Sequence, residues 1–126
     1  MPLVTFTHLK GRTRKEKKNL SDAVHFALVN SGVPAGDKFH RFIELDKENL
    51  IYDPNYPELT VPRTENFVMI EILLSVGRSV IIKRKILSDL AGQAQKSGLS
   101  PNDILVVFKE TTWENWAFAN GVQIHI

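Results

Sequence analysis

The amino-acid sequence predicts an α+β fold made of two tandem β-α-β units, with two helices packed on one face of a sheet. Three observations predict it: a repeat at a constant offset of sixty-six residues, an apolar helical stripe in each half, and strand-like segments on both sides of each stripe. A repeat this long is one supersecondary motif duplicated, because a solenoid needs at least three shorter units. The repeated pairs are Gly11 and Gly77, Arg12 and Arg78, Thr13 and Ser79, Lys17 and Lys83, Ser31 and Ser97, Gly32 and Gly98, Asp37 and Asp103, Phe42 and Phe108, and Glu44 and Glu110.

The first half has the pattern of a strand, a helix and a second strand. Residues 2–8 are β-branched, aromatic and partly alternating, which is typical of a strand. Thr13 can act as the N-cap of a helix, and Glu16 three residues later completes a capping box. Residues 31–32 (Ser-Gly) end this helix, and residues 38–45 predict the second strand. The apolar stripe of the helix, spaced i, i+3, i+4, i+7 and i+8, comprises Leu20, Ala23, Val24, Ala27 and Leu28.

The second half repeats this order. Residues 67–75 form the strongest strand pattern in the chain, and Ser79 can cap the helix that follows. Residues 97–98 end that helix, residues 100–103 (Ser-Pro-Asn-Asp) predict a turn, and residues 104–109 predict a strand. The stripe predicted for this helix comprises Leu87, Leu90, Ala91 and Ala94.

We expect a single domain over residues 1–126. Its segments are repeat one (2–45), a connector (46–66), repeat two (67–110) and a tail (111–126). The connector is long for a compact domain and carries a possible short strand at residues 49–52. The tail ends in the alternating residues 122–126, which predict a strand whose sheet partner lies in another subunit. Two arrangements fit this element order: a ferredoxin-like antiparallel sheet, or two parallel strand pairs related by a pseudo-twofold axis.

Composition excludes several classes of protein. The chain is 43% hydrophobic and 24% charged and has no cysteine, so disulfides and thiolate chemistry are excluded. It has no apolar run approaching ~20 residues and no signal-peptide pattern, so we expect a cytoplasmic protein with no membrane partner. Residues 1–20 carry six cations against Glu16. Without interleaved aromatic residues, this run favours a solvated helix start over a nucleic-acid surface, although it could concentrate a small anionic substrate.

Pro2 is the first candidate for chemistry. Methionine is normally removed before proline, which would leave a secondary amine at the mouth of a strand. An α-amino group has a pKa of about 7.7–8.0, and burial or a neighbouring cation would lower it. Such an amine could act as a general base near neutral pH. Because many proteins begin with Met-Pro for other reasons, Pro2 alone does not establish catalysis.

Further candidates follow the strand and helix ends. Arg12 and Arg78 each follow a strand, where a guanidinium can hold a carboxylate in a bidentate fork; the alternative is a surface arginine near a cap. Asp37 and Asp103 lie in the turn after each helix and could equally be ordinary turn residues. Trp116 and Phe118 could line an apolar pocket or fill a core or interface. The four histidines have no metal-ligand spacing, so no metal site is predicted.

Taken together, these motifs resemble the tautomerase superfamily, and most closely its malonate semialdehyde decarboxylase-like branch. The motifs are Pro2 opening a strand, the paired Gly-Arg-Thr/Ser corners, the turn at residues 31–37, the turn at residues 101–104, and the element at residues 115–118. The resemblance implies a β-α-β repeat fold with a mixed sheet and a pseudo-twofold axis, a homotrimer, and no metal or organic cofactor.

The resemblance also implies residue roles. It makes Pro2 the catalytic amine, neutral in tautomerases and cationic in the decarboxylase. Asp37 and Arg78 correspond to family catalytic residues, and Trp116 and Phe118 correspond to the aromatic wall of the pocket. At the substrate-binding position Val76 this chain departs from the decarboxylase pattern, which has arginine there. Phe39 falls near a position where the decarboxylase has tyrosine.

These expectations lead to three functional hypotheses. The leading one is a tautomerase in which Pro2 transfers a proton on a small 2-oxo or enol carboxylic acid bound by Arg78. The loss of an arginine at Val76 argues against efficient malonate semialdehyde decarboxylation, unless Arg12 or Arg41 compensates. The second hypothesis is a decarboxylase or hydratase acting on a 3-oxo or unsaturated acid through a cationic proline. The third is a non-enzymatic trimeric binding protein.

Overall fold

The computed structural model describes residues 2–124 and confirms the predicted order of strands and helices. Its four strands form one mixed sheet in the order β2-β1-β3-β4, with both helices on one face. The strands are β1 (Leu3–Leu9), β2 (Phe39–Leu45), β3 (Val68–Ser75) and β4 (Ile104–Thr111), and the helices are α1 (Arg14–Asn30) and α2 (Val80–Lys96).

The strand directions select between the two arrangements that the sequence left open. β1 is parallel to β2 and β3 is parallel to β4, while β1 and β3 are antiparallel. Thr5 and Glu71, which are repeat counterparts, face each other across the β1–β3 pair. The pseudo-twofold axis therefore passes between these two residues, and the ferredoxin-like alternative is excluded.

The helix boundaries follow from local hydrogen bonds. Thr13 accepts a hydrogen bond from the Glu16 amide, and the Glu16 side chain accepts one from the Thr13 amide, which completes the predicted capping box. Ser79 caps α2 by accepting a hydrogen bond from the Ile82 amide. Both caps satisfy amide groups that have no partner within the helix.

The core lies between the helices and the sheet. The predicted stripe of α1 is fully buried, but the stripe predicted for α2 is partly wrong. Its buried residues are Ile86, Leu90 and Ala94, whereas Leu87 is 38% exposed. The buried stripe includes Ile86 in place of Leu87, because Ile86, Leu90 and Ala94 follow the i, i+4 spacing that faces the sheet directly.

The connector and the tail differ from their predictions. Residues 49–52 form no strand. Asn49 ends a short 3₁₀ turn at Lys47–Asn49, and Tyr52 stacks on Phe67. In the tail, Trp113–Asn115 is a 3₁₀ turn, and an isolated bridge joins Ala119 and Val122. Residues 122–124 form no strand within the chain, and residues 125–126 of the predicted strand lie outside the described residues. No helix within residues 2–124 is long and apolar enough to cross a membrane.

Candidate functional site

A cavity of about 620 Å³ lies between the turn after α1, the start of β2, the turn after β3 and the tail. Its polar lining is Asp37 and Arg78, and its apolar lining includes Phe39, Trp113 and Phe118. Gly32, Val33, Pro34, Gly36 and Ile124 complete the wall. The cavity therefore combines one carboxylate, one guanidinium and an aromatic surface, the combination needed to hold a small organic acid.

Pro2, which precedes β1, is buried and is not itself among the residues that line the cavity. In the sheet, Leu3 pairs with Phe39 on β2 and with Leu73 on β3. Continuing both registers by one residue sets Pro2 beside Lys38 on one side and Leu74 on the other. Pro2 thus adjoins the two chain segments that carry Asp37 and Arg78, although these come from different repeats.

Arg78 is positioned by the sharp turn that follows β3. Gly77 has a φ of 118°, a left-handed conformation that side-chain-bearing residues rarely adopt, and it turns the chain towards the cap of α2. The Arg78 guanidinium then folds back, and Nη1 donates to the Ser75 carbonyl at 3.2 Å. Burial lowers the pKa of Arg78, opposed by the nearby Glu110 carboxylate. An arginine remains a cation under these conditions, so the cavity holds a fixed positive charge.

The aromatic side chains form two layers. Phe118 lies against Phe39 with ring centroids 5.6 Å apart, and both line the cavity. Trp116 stacks on Phe118 at 5.5 Å with the rings nearly parallel, so it supports the wall from behind. The sequence analysis did not name Trp113 as a site residue, yet Trp113 lines the cavity and is 37% exposed. Its position in the aromatic tail, three residues before Trp116, could have indicated this role.

Arg12 and Val76 lie apart from this group. Val76 is 40% exposed and does not contribute to the cavity lining. Arg12 follows β1, so it lies at the end of that strand opposite Pro2. There its Nη2 donates to the Asn66 carbonyl at 2.7 Å. Arg41, the other proposed compensating arginine, donates from Nε to the Thr5 hydroxyl at 3.0 Å on the sheet.

The second repeat has its own version of the site, in which the connector covers the aspartate. Asp103, the counterpart of Asp37, is 2% exposed and accepts hydrogen bonds from the amide and the hydroxyl of Thr64. Arg12, the counterpart of Arg78, is held by the neighbouring Asn66 carbonyl. The last residues of the connector therefore cover Asp103, while Arg12 borders a separate cavity of about 360 Å³ together with Glu16 and Asn66.

His8, His25 and His40 do not line the cavity. His8 is buried on β1, with Nδ1 2.7 Å from the Leu9 carbonyl oxygen, and burial lowers its pKa. The Nδ1 atom of His40 lies 2.7 Å from the Ser21 hydroxyl, and burial lowers the pKa of His40 to about 4. Among residues 2–124, no group of three or more His, Asp or Glu side chains is arranged to hold a metal ion.

The comparisons with known proteins agree with this architecture. A family model described as a tautomerase enzyme matches residues 37–119, about two thirds of the chain. No curated protein matches the sequence.

Solved structures match nearly the whole chain. One is a malonate semialdehyde decarboxylase, studied in wild-type, mutant and inactivated forms for its decarboxylase and hydratase activities. It is 28% identical to this chain with a TM-score of 0.88, and the match covers 96% of this chain and 93% of that one. A second malonate semialdehyde decarboxylase, inhibited by 3-bromopropiolate, is 24% identical with a TM-score of 0.88, over 96% and 92% of the two chains. A fused 4-OT, described as a symmetric trimer, is 22% identical with a TM-score of 0.75, over 96% and 94%.

Proposed function

This chain belongs to the tautomerase enzyme family, and we propose that it is a cofactor-independent tautomerase in which the amine of mature Pro2 is both general base and general acid. The observation that carries the proposal is the cavity that Asp37 and Arg78 line. The sheet register, continued by one residue, sets Pro2 beside Lys38 and Leu74, in the chain segments that carry these two residues. We propose a small 2-oxo or enol carboxylic acid as the substrate, because the cavity offers one cation and an apolar wall.

The proposed reaction is a proton transfer within one substrate molecule. Arg78 holds the substrate carboxylate, and Asp37 orients the substrate or a water molecule. The neutral Pro2 amine takes the enol O–H proton, the electrons of that O–H bond form the C=O π bond, and the C=C π electrons become available at carbon 3. The resulting ammonium returns that proton to carbon 3, so one O–H bond breaks, one C–H bond forms, and no net proton is consumed. Phe39 and Phe118 limit the access of water to the transferring proton.

The test is ketonisation of an arylenolpyruvate by mature protein and by Pro2→Ala. Intact mass must first show that methionine has been removed from both. We expect a loss of roughly 10²-fold or more in kcat, the usual contribution of general acid–base catalysis. Pro101→Ala, in the turn before β4, is the matched proline control. Equal rates for mature protein and Pro2→Ala would overturn the proposal.

A second candidate is decarboxylation or hydration of a 3-oxo or unsaturated acid through a protonated Pro2. It is favoured by the 28% identity with a malonate semialdehyde decarboxylase of known decarboxylase and hydratase activities. The two chemistries need opposite protonation states. Tautomerase activity should rise with pH through the proline pKa, and decarboxylase or hydratase activity should fall.

We further propose that the subunit assembles as a homotrimer. The sheet face turned away from the helices includes half-buried apolar side chains on β1 and β3, among them Leu3, Met69 and Leu73. The fused 4-OT that shares the fold is described as a trimer. Sedimentation equilibrium should give three times the subunit mass of 14.3 kDa. A monomer at micromolar concentration would contradict the proposal.

A further inference from the structure

Ser75 is a buried polar residue at the end of β3 for which the proposed mechanism has assigned no role. Its relative exposure is 0%, and its hydroxyl finds no hydrogen-bond partner among the described residues. Buried hydroxyl groups without partners are rare because they lose their hydrogen bonds to water and gain none in return. The lack of a hydrogen-bond partner for the Ser75 hydroxyl among the described residues therefore needs a structural reason.

The sheet register places Ser75 beside the start of the mature chain. Leu3 pairs with Leu73 in the antiparallel β1–β3 pair, so Pro2 lies beside Leu74. The nitrogen of Pro2 is on the side of that residue away from Leu3, which is the side of Ser75. Removal of the methionine turns this nitrogen from an amide without N–H into an amine with one.

We propose that the Ser75 hydroxyl accepts a hydrogen bond from the amine of mature Pro2 and so aims its lone pair into the cavity. A neutral secondary amine has one N–H and one lone pair. If the N–H is held by Ser75, the lone pair has a fixed direction and is free to take a proton from substrate. Ser75 is thus a positioning residue for the proposed function, on which this inference rests.

The same residue links the amine to the substrate cation. The Ser75 carbonyl accepts the hydrogen bond from Arg78 Nη1, while its hydroxyl faces the amine. One residue therefore sets the relative position of the proton-transfer group and the carboxylate-binding group. The sheet register brings four other charged residues towards the amine: Asp37 and Lys38, which lead into β2, Arg78, which follows β3, and Glu110, which pairs with Leu74. Their charges are unchanged by substitution of Ser75.

The experiment compares Ser75→Thr with Ser75→Val. The two side chains have the same shape, so any packing strain is shared, and they differ in the hydroxyl. The direct readout is a ¹⁵N NMR pH titration of protein labelled with ¹⁵N-proline. The chain has 6 prolines, and in the mature protein Pro2 is the one whose nitrogen carries a proton. Thr7→Val, which removes a hydroxyl at the far end of β1, is the control.

We expect a lower Pro2 pKa in Ser75→Val than in Ser75→Thr, by roughly half a unit to one unit. The reason is that an accepting hydroxyl stabilises the ammonium more than the neutral amine. We also expect kcat for ketonisation to be about tenfold lower in Ser75→Val, with KM unchanged. Thr7→Val should match wild type in both measurements.

The two proposals fail in different ways. Equal Pro2 pKa values in Ser75→Thr and Ser75→Val would overturn the role of Ser75, whatever the enzyme turns over. A lower pKa in Ser75→Val, together with no ketonisation by wild type, would support the role of Ser75 and reject the proposed tautomerase reaction.

Discussion

Asp103 accepts two hydrogen bonds from Thr64, one from the backbone amide at 2.6 Å and one from the hydroxyl at 2.7 Å. Its repeat counterpart, Asp37, lines an open cavity. The carboxylate at this repeat position thus has a different role in each repeat. In one repeat it anchors the connector, and in the other it faces the space where we propose that substrate binds. The duplicated fold thus leaves Asp37 at an open cavity and uses Asp103 to hold the connector.

Thr64→Val should therefore destabilise the protein without changing the chemistry. The substitution keeps the side-chain shape but removes the hydroxyl that donates to a buried carboxylate. Hydrogen bonds to charged groups contribute about 1.5–3 kcal/mol, and we expect a loss of that order in the free energy of unfolding. Urea denaturation at pH 7 would measure it, while activity per folded molecule should stay constant.

Thr64→Ser is the matched control, because it retains the hydroxyl and should recover most of the stability. A Thr64→Val protein as stable as wild type would mean that the connector is held by other contacts. Such contacts include the stacking of Tyr52 on Phe67 and the hydrogen bond from the Tyr52 hydroxyl to the Thr64 carbonyl.

The Thr64–Asp103 contact also shows which kind of contact the sequence alone cannot predict. The capping box of Thr13 and Glu16 could be predicted because its partners are three residues apart and its pattern is local. Thr64 and Asp103 are 39 residues apart, and nothing in either segment marks the other as its partner. The repeat indicated that Asp37 and Asp103 are equivalent in the fold. It could not indicate that the connector covers only one of them.

The same limit explains the other differences. Periodicity identified both helices, yet Leu87 and Ile86 are adjacent apolar residues, and only packing against the sheet decides which is buried. Strand direction was open because a β-α-β pattern fits two topologies. The cavity gathers Asp37, Arg78 and Phe118 from three separate segments, so residue spacing alone could not bring them together. The resemblance to a known family supplied that step.

Arg78→Ala should weaken substrate binding strongly. If Arg78 holds the substrate carboxylate, its removal costs a charge-assisted hydrogen bond, and we expect kcat/KM to fall by roughly 10-fold to 100-fold. Arg78→Lys should recover only part of this loss, since an ammonium cannot form the bidentate contact. Steady-state ketonisation kinetics would measure both variants, with Arg84→Ala on α2 as a charge-matched control.

Arg12→Ala tests whether the repeat counterpart of Arg78 also contributes to substrate binding. Arg12 is the repeat counterpart of Arg78, but it lies at the opposite end of β1 and is bound to the Asn66 carbonyl. We expect its replacement to raise KM much less than Arg78→Ala does. An equal rise in KM would contradict a site formed around Arg78 alone and would indicate that Arg12 reaches the substrate across a subunit boundary.

Stability should fall as the pH is lowered from 7 to 5, and His40 should account for much of the fall. Burial lowers the pKa of His40 to about 4, below the ordinary value of 6.5. Because the unfolded chain binds the proton more readily, the neutral form of His40 contributes stability that is fully present above pH 6.5. This contribution is lost as the pH falls from 6.5 towards 4. By pH 5 the loss attributable to His40 is about 1–2 kcal/mol.

The variant His40→Gln tests this assignment because glutamine does not titrate. Chemical denaturation at pH 7 and pH 5 should show a smaller difference for His40→Gln than for wild type. His8, whose pKa is also lowered by burial, should supply the remaining dependence. Carboxylates with lowered pKa values, such as Glu16 and Glu44, lose their contribution below their unfolded pKa of about 4.3, so they affect this interval little. The same pH dependence in His40→Gln and wild type would assign the effect to His8 instead.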